Sequence, residues 1–207
     1  MTAHSLAGKA SQNDKRQRIL AAAETVFAEN GFFYAKVSQI AKQAGVADGT
    51  IYLYFKSKDD LLISLFEVRM KQVCTAMNET IAKDKECADK LRSFIRTHLA
   101  LVNDHPSLAE VLTVELRQSS KFMKEHSNPQ FAEYLKILAT IIADGQSKGE
   151  FDPTVPAPLA ARGIFGMVDE LALAWLLGEE QKFDIVRAAE WVGSLILKGL
   201  TKTKPTS

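Results

Sequence analysis

From Lys36 to Lys58 the chain reads KVSQIAKQAGVADGTIYLYFKSK, and few folds accommodate that order of residues. Val37, Ile40, Ala41 and Ala44 recur at i, i+3, i+4 and i+7, the spacing of one apolar face on a short helix. Gly45 follows where a helix end favours a left-handed backbone, and Val46 is the apolar plug of the turn. A second short helix is predicted to begin at Asp48, whose carboxylate can accept an orphan amide bond, and to carry Gly49, Thr50, Ile51, Tyr52, Leu53, Tyr54 and Phe55. Two short helices joined by a glycine-containing turn make a helix-turn-helix, which lays its second helix in a DNA major groove.

The second helix is unlike one built for packing alone. Ile51 and Phe55 share a face that can sit under Ile40 and Ala44, so Thr50, Tyr52, Tyr54, Lys56 and Lys58 are predicted to point outward or along the rim. Hydroxyl and ammonium groups so placed donate to phosphate oxygens, and a tyrosine ring also reaches base edges. A plain αα-hairpin with solvated tyrosines is the alternative.

At these residues the chain resembles the TetR family of bacterial transcriptional regulators. IAKQAGVADGTIYLYFKSKDDLL is similar to that family's helices two to four, and RILAAAETVFAENGFF, Arg18 to Phe33, to its first helix. The resemblance implies an all-α homodimer of about nine helices. A helix-turn-helix domain over residues 1–57 would bind operator DNA, and residues 58–207 would hold an effector and the dimer interface. It further implies phosphate contacts at Thr50, Tyr54 and Lys58, and places Ser38, Gly49 and Tyr52 nearest the bases. Asp48 and Lys56 complete the expected interface. Where relatives carry Ser before the second helix this chain has Ala47, so capping is expected to fall to Asp48.

The net charge of +1 gives no overall field for nucleic acid, so DNA binding has to rest on local cations. Lys15, Arg16 and Arg18, ahead of the first helix, are further candidates to reach phosphates. Residues 1 to 13 are small and polar and are expected to be disordered. Cys74 and Cys87 form neither a disulfide framework nor a metal spacing and read as buried reduced thiols. There is no signal-peptide core and no membrane-length apolar run, which predicts a soluble cytoplasmic protein without a membrane partner.

Beyond Ser57 and Asp59 an amphipathic run predicts a helix to about Lys83, with Leu61, Leu62, Leu65, Phe66, Val73 and Met77 on its stripe. Roughly 36 Å long at the standard rise per residue, it is the expected lever between the two domains. Further helices are predicted over 87–103, from Pro106 through ELRQSS, from Pro129 onward, and on both sides of a proline-rich loop at 149–158. LAARGIFGMVDELALAWLL is apolar nearly all round. With the final helix, Asp184 to about Leu200, it suggests an intersubunit four-helix interface, and Gly163 and Gly166 read as places of close helix packing there.

The carboxy-terminal helices are expected to enclose an apolar cavity lined by Phe94, Leu112, Leu138, Phe165, Met167 and Trp175, suited to an acyl chain or a flat aromatic ligand. His98 reads as a pocket-wall or core residue, and Arg117 as a phosphate anchor or an ion-pair partner of Glu115 or Asp169. ELRQS and IFGMVDE, with the helix-turn-helix stretch, are similar to the branch of the family that represses fatty-acid-degradation genes and is released by long-chain acyl-coenzyme A. That resemblance implies an acyl tail in the cavity and coenzyme phosphates on Arg117 or Arg162. A sensor of hydrophobic or aromatic drug-like compounds on the same scaffold is the nearest alternative. A small helical enzyme using His98 and a protein-docking module using the tyrosines are weaker ones, because no phosphate loop, metal-ligand set or nucleophile elbow is present.

Overall fold

Gly31 breaks the first helix, and much of the amino-terminal half follows from that break. In this computed structural model, which describes residues 3–119, 129–178 and 183–201, α1 (Ala3–Tyr34) is interrupted at Gly31 by φ 71° and ψ 149°, backbone angles that glycine adopts without strain. The helix runs back to Ala3 through the stretch expected to be disordered. That stretch has no proline and carries three Ala with Leu6, Lys9 and Gln12, all of which cost a helix little.

Two short helices follow, α2 (Val37–Ala44) and α3 (Asp48–Ile51), and then α4 (Lys58–Ile81). Gly45 closes α2 at φ 65° and ψ 42°. α3 is shorter than the sequence predicts. Past Ile51 the chain continues in tight turns, with the amides of Leu53 and Tyr54 donating to Thr50 and Ile51 at 3.2 and 3.0 Å, the i→i+3 pattern with which short helices end. The first turn also differs from expectation. Ala47 is the N-cap and offers no side-chain bond, whereas Asp48 is the first helical residue, where its charge still favours the positive helix end. α4 starts with reciprocal caps: Ser57 accepts from the Asp60 amide at 3.1 Å and Asp60 from the Lys56 amide at 2.7 Å.

The remaining helices are α5 (Cys87–Asp104), α6 (Pro106–Thr113), α7 (Pro129–Ser147), α8 (Ala157–Leu177) and α9 (Ile185–Leu200), with a 3-10 turn at Glu115–Gln118. No strand occurs among the described residues. The helix predicted to run from Pro106 through ELRQSS therefore ends at Thr113. Thr113 and Val114 are β-branched and hold a helix poorly, and Glu115 has a partner outside it.

The chain forms two compact units, Met1–Arg69 with Ser107–His126, and Met70–Pro106 with Ser127–Ser207. This division differs from a cut at residue 57, because α6 and the 3-10 turn belong to the first unit. The core of that unit is Ile19, Phe27, Ile40, Ile51, Phe55, Leu61, Leu62 and Leu65, and Arg18 ties α1 to α2 by donating to the Ala44 carbonyl at 2.9 Å. In the second unit α5 is central and packs on α7, α8 and α9. Its amino end is capped from a distance: both Glu150 oxygens accept, from the amides of Cys87 and Ala88, at 3.1 and 3.0 Å. Although burial pushes Glu150 upward, those bonds hold its carboxyl below the ordinary range. Phe151 next door is fully buried and lies where a methyl on Gly145 would stand, 2.2 Å from its ring.

Candidate nucleic-acid interface and ligand site

In the helix-turn-helix, burial of Ile40, Ala41, Ala44, Ile51 and Phe55 turns the polar side of both short helices to solvent. Ser38, Asp48, Gly49, Tyr52 and Lys56 are exposed, and Thr50 and Tyr54 are half-buried. Leu53 stands 81% exposed at the tip of the turn. Of the amino-terminal cations, Arg18 is spent on α2 and Arg16 stands over the Phe55 ring at 5.4 Å.

Lys58 has a different employment from its neighbours. Its Nζ donates to the carbonyl oxygens of Phe32, Phe33 and Ala35 at 2.6, 3.0 and 3.1 Å, and stands 4.7 Å from the centre of the Phe32 ring. An ammonium has three hydrogens, so three carbonyls use all of them. The same corner is held from its other side by Glu115, whose buried carboxylate accepts the Phe32 amide. Ser119 adds a 2.7 Å bond to Asp59. Phe33 and Tyr34 are thereby left pointing outward, 72% and 84% exposed, immediately before α2. ELRQS thus places an internal brace in the first unit. The side chain of Arg117 lies outside the described residues.

Of the residues expected to meet a ligand, Phe94 and His98 lie on α5, Leu138 on α7, and Arg162, Phe165, Met167 and Trp175 on α8. Tyr134, which the sequence reading passed over, is at the centre. Its ring centroid is 5.1 Å from Phe94, 5.9 Å from His98 and 6.2 Å from Phe165, and its hydroxyl lies 2.7 Å from His98 Nδ1. Phe131 closes edge-on against Phe165 at 4.9 Å. Burial lowers His98 to about 4, so the imidazole is neutral at physiological pH. Leu138 is fully buried one turn beyond Tyr134. Leu112 belongs to the first unit. Arg162 is exposed, Met167 points outward, and Trp175 is half-buried. Tyr134 was legible in principle, since it continues the buried row of Leu138, Ile141 and Gly145 at helical spacing.

α8 and α9 each bury one face only. Leu159, Leu177, Val186, Leu195 and Trp191, the last 83% exposed, form the other side of the pair, and a methyl added to Gly163 or Gly166 would meet nothing. The thiols of Cys74 and Cys87 are buried and free, and burial raises both above their ordinary value, Cys74 to about 11, which keeps them protonated. Among the described residues no group of acidic, His and Cys side chains is arranged for a metal, and no helix is long and apolar enough to cross a membrane.

Residues 19–65 match the family described as bacterial regulatory proteins, tetR family, and residues 66–199 match the YsiA-like protein, C-terminal region. The chain belongs to the tetR family. It is a DNA-binding transcriptional regulator and not an enzyme. It is 41% identical to the fatty acid metabolism regulator protein of Bacillus subtilis over 186 residues, 90% of this chain and 95% of that protein. Its fold matches the crystal structure of the transcriptional regulator FadR from Bacillus subtilis in complex with stearoyl-CoA, with a TM-score of 0.82 over 89% of this chain and 98% of that one. The fatty acid degradation regulator FadR from Bacillus halodurans, 36% identical, matches with a TM-score of 0.80 over the same shares.

Proposed function

We propose that the protein is a cytoplasmic repressor of fatty-acid-degradation genes that leaves its operator when long-chain acyl-coenzyme A binds. The observation that carries this reading is the likeness, along nearly the whole chain, to a fatty acid metabolism regulator and to a structure holding stearoyl-CoA. The aromatic nest on α5, α7 and α8 supports it by offering apolar surface to an alkyl chain.

In this reading Thr50, Tyr54 and Lys56 hold phosphates while Ser38, Gly49 and Tyr52 approach base edges, with Asp48 setting the first turn. Lys58 positions the α1–α2 corner. Arg162, exposed on α8, is the cation offered to the coenzyme's phosphates. Two chains associate through the outward apolar sides of α8 and α9, since a row that includes Leu159, Trp191 and Leu195 costs free energy in water. The dimer presents two recognition helices, ideally about 34 Å apart for half-sites one helical turn distant. Ligand releases DNA only by its differential affinity for the DNA-incompetent state.

A mobility-shift titration on the duplex upstream of the protein's own gene tests this. Salt-dependent binding, reversed by stearoyl-CoA and not by coenzyme A alone, is the expected result. Binding that stearoyl-CoA leaves untouched would dismiss the acyl effector. The aromatic rings of the nest equally suit a flat aromatic ligand, and release by such a compound instead would favour the drug-sensing alternative.

A further inference from the structure

Among the rings of the second unit there is one polar pair, and its hydrogens can be counted. A neutral imidazole carries one N–H and a phenol one O–H. Only one of these two hydrogens occupies the 2.7 Å bond between His98 Nδ1 and the Tyr134 hydroxyl. If the phenol donates, His98 Nε2 keeps its hydrogen. If the imidazole donates, the hydrogen left over is the phenol's. In either tautomer the pair retains one donor, and neither residue has another hydrogen-bond partner among the described residues. His98 is half-buried, so its side chain is not sealed from solvent. The surroundings are Phe94, Phe131 and Phe165.

Resting on the acyl-coenzyme A reading above, we infer that His98 and Tyr134 form the subsite for the thioester carbonyl, their remaining hydrogen donating to its oxygen while the alkyl chain lies along the half-buried rings of Phe131 and Phe165. The charge balance favours a neutral carbonyl over the carboxylate of a free fatty acid. Burial, then Cys74 and Asp169, push the Tyr134 hydroxyl well above its ordinary value. The imidazole stays neutral and so supplies no charge to compensate an anion. A thioester oxygen needs one neutral donor and no counter-charge. An alkyl group in its place would leave that donor beside hydrocarbon, the arrangement hydrogen-bonding sites reject most strongly.

The test is a cycle between protein and ligand, using the full-length protein in calorimetric titrations with stearoyl-CoA and with its thioether analogue, S-octadecyl-CoA, which lacks only the carbonyl oxygen. The wild type is expected to bind the thioester about tenfold more tightly. Either single variant still carries one hydrogen, so the gap should shrink to less than about threefold only in the double variant His98→Phe/Tyr134→Phe, through loss of thioester affinity. If the double variant does not fold, the carbonyl stretch of 13C-labelled stearoyl-CoA bound to the wild type decides: a shift to lower frequency than in water-free solvent is expected, and its absence overturns the contact. A wild type that binds both ligands equally overturns the carbonyl contact while leaving the acyl-coenzyme A reading intact. A tenfold gap that persists in the double variant overturns the assignment to these two residues. A wild type that binds neither ligand overturns the acyl-coenzyme A reading and the subsite with it.

Discussion

At the Gly31 corner the polar groups are paired: the Phe32 amide with Glu115, three carbonyls with Lys58, and Asp59 with Ser119. In the aromatic nest a single hydrogen bond joins His98 to Tyr134, and one hydrogen is left over. A saturated corner resists displacement, because each group it released would need a new partner, whereas an unsaturated pair among rings is made to accept something. The first region therefore fixes a backbone for DNA, and the second holds a donor in reserve.

The comparison breaks most visibly through packing. Phe94→Ala should destabilise the protein by about 3–5 kcal/mol in urea unfolding, because a fully buried ring is lost from the middle of the nest. Glu115→Ala attacks the corner instead and leaves the Phe32 amide without its acceptor, at about 1–3 kcal/mol and with weaker operator binding. Glu115→Gln retains an acceptor oxygen and should recover most of both. If Ala and Gln behave alike, the bond to Phe32 is not what holds the corner.

Acid should separate the regions next. His98 titrates lower in the folded protein, at about 4, than its ordinary 6.5. Between those values the unfolded chain binds more protons, so stability falls as pH drops from about 6.5 to 4. Thermal unfolding of His98→Phe across that window should show a flatter dependence.

Lys58→Met should cost about 1 kcal/mol, since the carbonyls it serves lie at a partly exposed corner that water reaches. It should leave the salt slope of DNA binding unchanged. Lys56→Ala, by contrast, should lower that slope by about 0.9 for each phosphate it no longer neutralises. Equal changes of slope would return Lys58 to the phosphates. The smallest effect is expected of Glu150→Gln, at most about 1 kcal/mol at neutral pH. The carboxyl of Glu150 is depressed in the folded state, so its contribution is present above the ordinary carboxylate range and vanishes as pH falls through the depressed value.

The two regions were not equally legible in the sequence. The helix-turn-helix declared itself because its signals are local: apolar spacing in α2, Gly45 at its end, Ile51 and Phe55 under it. The loop at 149–158 and the helix start at Asp184 were local too, and in the structure Asp184 accepts the amides of Val186 and Arg187. Glu115 was not legible, because its partner is the amide of Phe32, 83 positions away, and the sequence offers it only as an ion-pair partner for Arg117. The bonds of Lys58 were hidden for the same reason: a lysine at a helix start beside tyrosines looks available, and only three-dimensional structure brings the corner's carbonyls to it. Tyr134 was obscured by its own hydroxyl, which suggests solvent although its spacing with Leu138 and Ile141 places it inside.

The brace from Glu115 to Phe32 also bears on how such regulators can be recombined. A DNA-reading module cut at residue 57, or even at 69, would omit the carboxylate that completes its own corner. Chimaeras exchanging operator specificity between relatives should therefore transplant residues 107–119 along with the amino-terminal piece, because the head is discontinuous in the gene.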